Sequence, residues 1–89
     1  MEKVSYQTEI VDTNKIVETL GAASLSFELL GDIPATIKGD IPLTSDKIRE
    51  FNNYPGQTID DKFPIRFDAA STGTIKKVLV VKTYYKEVK

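Results

Sequence analysis

With 89 residues and 9.9 kDa, the chain is the size of one domain, residues 1–89, and has no room for a second core. Hydrophobic residues make up 40% and charged residues 28%, which excludes intrinsic disorder; with no cysteine and no histidine, disulfides, thiolate metal sites and the commonest acid–base and nucleophilic chemistry are excluded too. The formal charge of −1 hides a gradient: residues 1–45 carry three bases against seven acids (−4), residues 46–89 nine against six (+3). Such a split reads as two solvated faces that attract each other across the fold.

Residues 4–11 alternate, with Val4, Tyr6, Thr8 and Ile10 on one side and Ser5, Gln7 and Glu9 on the other, the pattern of a half-buried strand. Asp12-Thr13 then offers a helix cap, and Ile16, Val17 and Leu20 follow at helical spacing before Gly21. The segment 13–20 reads as a short helix or as a structured loop, because two turns are not stable without packing.

The clearest alternation runs over 23–30, with Ala23, Leu25, Phe27 and Leu29 on one face. Gly31-Asp32-Ile33-Pro34 ends it and recurs as Gly39-Asp40-Ile41-Pro42. Two copies are too few for a repeat architecture and read as paired turns around a short strand, Ala35 to Lys38 within 35–42, with the prolines placing it at a sheet edge. Thr44 is the best helix cap in the chain: Leu43 and Ile48 fall at the positions of a hydrophobic staple, so a helix is predicted over 45–52, ended by Pro55-Gly56.

Residues 62–69 alternate again, with Phe63, Ile65, Phe67 and Ala69 on one face and Pro64 on the other, suggesting an edge strand. The last segment, 74–87, reads TIKKVLVVKTYYKE, and its centre, Val78-Leu79-Val80-Val81, is apolar on both faces. This predicts a central strand, paired as a hairpin with 62–69. Its odd positions, Ile75, Leu79, Val81 and Tyr85, are assigned to the core, and its even positions, Lys76, Lys82, Tyr84 and Lys86, to the surface.

The fold class predicted is α+β and β-rich: about five mainly antiparallel strands at 4–11, 23–30, 35–42, 62–69 and 74–87, forming a curled sheet or partly open OB-like barrel with a short helix at 45–52. The alternative is a ferredoxin-like split βαβ arrangement with one added strand, if 13–20 is a true helix.

No motif assigns a catalytic, cofactor or metal site. Asp60-Asp61 with Asp68 is the densest carboxylate cluster, but neighbouring residues of an extended chain point to opposite sides, so a solvated loop is the plainer reading. Ser71-Thr72-Gly73-Thr74 could hold an anion on its backbone N–H groups, against the plainer reading of a turn. The candidate binding face is Lys76, Lys82, Tyr84 and Lys86, with Arg66 from the neighbouring strand. Lysines and an aromatic on a curved sheet suit single-stranded nucleic acid, although lysine is also the ordinary way to keep an exposed strand soluble. A surplus of apolar groups on outward positions, including Leu30, Tyr54, Val78, Val80 and Val88, is expected to be covered by the helix at 45–52, or else to form a patch for a partner chain or a second copy.

The function expected is therefore a small non-enzymatic binding or assembly module that presents one sheet face to a protein or to a second copy of itself, with single-stranded nucleic-acid binding as the alternative. No run approaches the roughly 20 apolar residues of a membrane helix. The N-terminal MEKVSYQTEIVD has no secretory core, so a cytoplasmic protein without membrane contact is expected.

Overall fold

The computed structural model describes residues 2–44, 48–52 and 57–87, with backbone alone at 2–4 and 86–87. Among these the protein is all-β, with eight strands in chain order: β1 (Glu2–Val11), β2 (Lys15–Glu18), β3 (Ser24–Leu29), β4 (Ala35–Ile37), β5 (Ile41–Leu43), β6 (Ile48–Asn52), β7 (Lys62–Phe67) and β8 (Val78–Glu87). They form two four-stranded antiparallel sheets, ordered β1-β8-β3-β6 and β2-β7-β4-β5. The core lies between them. Phe27 of β3 meets Phe63 of β7 with ring centroids 5.6 Å apart, and Phe51 of β6 meets Phe63 at 4.9 Å.

The fold class is thus not α+β. Neither the OB-like barrel nor the ferredoxin-like arrangement fits, since no strand belongs to both sheets and the described residues contain no helix. Within the predicted helix 45–52, residues 48–52 are β6, paired with β3, and residues 45–47 lie outside the described residues. The helical spacing of Ile48 and Phe51 is real, but on a strand that spacing sends them to opposite faces, Phe51 against the core and Ile48 to solvent. Segment 13–20 contains β2, in which Val17 is buried and Ile16 exposed; Leu20, in the turn after it, is exposed too. Capping and spacing are local signals worth a kcal/mol or so, and long-range pairing overrides them.

The long alternating segments hold their places. The strand predicted at 35–42 resolves into β4 and β5, joined by a tight loop in which Lys38 (φ 56°) and Gly39 (φ 83°) are left-handed. The stretch Ala35 to Lys38, expected at a sheet edge, is instead the interior β4, between β7 and β5; the edge is β5, which contains Pro42. β7 is interior despite Pro64. Its carbonyl accepts from the Lys38 N–H at 2.9 Å, just where β4 has ended, so the donor that proline lacks falls at the finish of the ladder.

β7 and β8 do not form the expected hairpin. They lie in different sheets, and residues 68–77 carry the chain between them. That crossing is fastened to the first Gly-Asp copy. Asp32 accepts from the Thr74 and Ile75 N–H groups through Oδ1 at 2.9 and 2.7 Å, and its own N–H donates to the Ile75 carbonyl. A Cβ on Gly31 would stand 2.2 Å from the Ile75 carbonyl oxygen, so that position needs glycine for close approach, while Gly39 needs it for its dihedral. The two copies therefore do different jobs.

β8 is interior, between β1 and β3, as its apolar centre predicts. Its faces are the reverse of those predicted: Val78 and Val80 are fully buried, whereas Leu79 and Val81 are only half-buried on the outer side. Four consecutive apolar residues look alike from either side. The register decides, because Val80 pairs with Phe27, whose ring enters the core.

Candidate functional site

The register carries the inward set of β8 on to Lys82 and Tyr84, both half-buried. Tyr84 packs against the core, and its hydroxyl donates to the Thr19 carbonyl at 3.1 Å. Thr19, fully buried, in turn donates through Oγ1 to the Ile59 carbonyl at 2.6 Å and accepts from the Asp61 N–H at 3.0 Å. These bonds tie β8 of one sheet to the turn after β2 of the other. The tyrosine read as a recognition residue is a structural link here.

The other predicted site residues are scattered. Lys76 is exposed in the 68–77 crossing rather than on β8, and the Lys86 side chain lies outside what is described. Arg66, on β7, belongs to the second sheet and lines an open concavity of about 1030 Å³ with Lys15, Lys38 and Lys62. No aromatic residue lines that concavity. Two of its cations are already engaged: Lys15 Nζ meets Glu9 Oε2 at 3.0 Å, and Lys38 Nζ is bound to Asp61 Oδ2 and lies 4.8 Å from the centre of the Phe63 ring. The Lys38 ammonium, by hydrogen bond, and the Lys62 N–H hold the Asp61 carboxyl below its ordinary range, against a smaller opposing effect of burial.

The remaining chemistry-bearing candidates are also placed. Asp60 and Asp61 precede β7 and Asp68 follows it, so the strand separates them by roughly 20 Å at the usual rise per residue. Among the described residues no three carboxylates gather as a metal site would require. The N–H groups of Thr74 and Ile75 do hold an anion, the carboxylate of Asp32. That turn is internally satisfied.

What the structure does assemble is the outer side of the first sheet. Across β1, β8, β3 and β6 the register aligns Ile10, Leu79, Glu28 and Ile48 in one row and Thr8, Val81, Ser26 and Glu50 in the next, followed by Tyr6, Thr83, Ser24 and Asn52. Tyr6 is 68% exposed, Ile48 56% and Ile10 48%. Among the described residues no element packs over this side. No family model, curated protein or solved structure matches this chain.

The sequence reading missed this surface because it assigned Leu79 and Val81 to the core and expected a helix to cover the opposite face. One signal was available. β1 has the period of a half-buried strand, yet its apolar side, Tyr6 and Ile10, leads the way to solvent, while its inward side carries Gln7 and Glu9. Gln7 and Glu9 stand opposite Lys82 and Val80, at the edge of the part of the sheet that β3 also pairs; beyond Thr83, β1 continues alone beside Tyr84 to Glu87. The Cα radius of gyration is 14.0 Å, against about 12 Å expected for a compact chain of this length.

Among the described residues no helix is long and apolar enough to cross a membrane.

Proposed function

We propose that the chain is a non-enzymatic binding or assembly module that presents the outer side of the β1-β8-β3-β6 sheet to a protein partner. The observation that carries this reading is the row Ile10, Leu79 and Ile48, with Tyr6 nearby, lying uncovered across a sheet of this size. Exposed apolar side chains gathered on one uncovered sheet side mark interaction sites. Ile10 and Leu79 lie side by side, Glu28 separates Leu79 from Ile48, and Thr8 separates Ile10 from Tyr6, a mixed apolar and polar surface of the kind found at interfaces that form reversibly.

The test is paired substitution. Ile10→Lys with Ile48→Lys changes only outward positions, so stability should move by no more than about 0.5 kcal/mol per site. A partner captured by the wild-type chain from its source cells should be lost by that variant and kept by Thr36→Lys, on the second sheet. Equal capture by all three chains would remove the reading.

A further inference from the structure

We propose that this chain pairs with a second copy of itself along the bare edge of β1, in antiparallel register centred on Tyr6, making one continuous sheet from the two β1-β8-β3-β6 sheets. The inference rests on the assembly reading above and names the partner, but it uses the edge of the sheet rather than its outer side.

The four sheet edges are unequal. β2 has 4 residues, β5 has 3 and contains Pro42, and β6 has 5. Short strands and proline are the usual means of keeping an edge from pairing. β1 has 10 residues, with neither proline nor glycine, and pairs along its whole length with β8 alone. No backbone hydrogen bond from a loop reaches its other side among the described residues.

Which groups are bare follows from bonds on the far side of β8. The Thr83 carbonyl accepts from the Ala23 N–H at 2.6 Å, and the Lys77 carbonyl from the Leu30 N–H at 2.9 Å. Odd-numbered residues of β8 therefore turn their backbone groups toward β3, and even-numbered ones toward β1. The β1 partners of those even residues are Ser5, Gln7, Glu9 and Val11. It follows that Glu2, Val4, Tyr6, Thr8 and Ile10 direct both N–H and C=O away from β8, into solvent.

The same alternation selects the register. Two copies related by a two-fold axis through the sheet continue its faces only if residues of equal parity stand opposite each other. Centring the pair on Tyr6 sets Val4 opposite Thr8 and Glu2 opposite Ile10. Every bare N–H and C=O from Glu2 to Ile10 then gains a partner, and the sequence places Lys3 opposite Glu9. A shift by one residue would turn one copy's outer side inward. A shift by two shortens the ladder and separates those unlike charges. The centred register also sets Tyr6 of the two copies side by side on the outer side. The assembly closes at two, because the opposite edge, β6, is short.

Backbone pairing over one strand is a modest interface, so the dimer should dissociate on dilution. Sedimentation equilibrium of the full chain at about 10 µM and about 500 µM should show the mass rising toward two copies. Thr8→Pro deletes an N–H that faces solvent and spares every bond to β8, so it should hold the chain monomeric at the higher concentration with an unchanged circular dichroism spectrum. In the wild-type chain, exchange of the Tyr6, Thr8 and Ile10 amides should slow as concentration rises, while the Gln7 and Glu9 amides are protected throughout. A wild-type monomer at the higher concentration, or a dimer in which those three amides exchange at an unchanged rate, would overturn the pairing. If such a monomer still loses its partner through Ile10→Lys and Ile48→Lys, the self-pairing fails and the face reading stands. A dimer abolished by Thr8→Pro establishes the pairing whatever the face variant does, and the face reading is then decided by the capture experiment alone.

Discussion

The two ends of β8 show how one strand can serve two purposes. At its start, Val78 and Val80 lie where the sheets cover each other and Phe27, Phe51 and Phe63 close the space between them. At its finish, from Tyr84 onward, the strand has only β1 beside it among the described residues, and none of their strands pairs with the other side of β1. Each fully buried Phe, Leu or Val contributes about 1.5–3 kcal/mol, against roughly 0–1 kcal/mol for an exposed ion pair such as Lys15–Glu9. Stability therefore resides in the sandwich, and the proposed recognition would use the outer side and the bare edge of the β1-β8-β3-β6 sheet.

The largest expected effect tests the sandwich half of that contrast. Phe27→Ala removes the ring that touches both Phe51 and Phe63 and should lower the unfolding free energy by about 3–5 kcal/mol, read from urea denaturation. A loss below about 1 kcal/mol would mean that the aromatic cluster is not the centre of the fold. Tyr84→Phe probes the joint between the two regions. It removes the hydroxyl bond to Thr19 while keeping the ring, and should cost about 0.5–1.5 kcal/mol, measured in the same way. No loss at all would detach Tyr84 from the sandwich and make it part of the overhang.

The smallest effect lies at the rim. A carboxyl titration followed by NMR should place Asp61 below its reference value of 3.8, and Lys38→Met should return it toward that value. Because the folded state lowers this pKa, the associated stability is present above the unfolded carboxyl's range and fades as pH falls through the lowered folded value. The wild-type chain should thus lose slightly more stability than Lys38→Met on acidification. An unchanged Asp61 midpoint in the variant would remove Lys38 as the cause.

Four strands were legible from period alone, because alternation over 4–11, 23–30, 62–69 and the apolar centre of 74–87 depends only on which residues follow one another. The prolines misled, since the strands they were read to put at an edge, β4 and β7, are both interior. β2 and β6 were not legible. Their few residues carry helix-like caps and spacing, and what makes them strands is β7 and β3, distant in sequence. The candidate site suffered most, since Tyr84 and Lys82 were read on the wrong side of β8 and Arg66 in the wrong sheet. Assigning them required knowing that Val80 stands opposite Phe27.

By itself, then, the sequence determined four alternating strands, a break in the chain at each Gly-Asp copy, and that histidine- and cysteine-based chemistry is closed to it. Tertiary structure alone decided that the strands divide into two sheets, that the 68–77 segment crosses between them under the hold of Asp32, and which side of β8 meets water. The reason is that a strand has no internal hydrogen bonds: its period is written locally, but its partner, its register and its covered face are fixed only by residues far away along the chain.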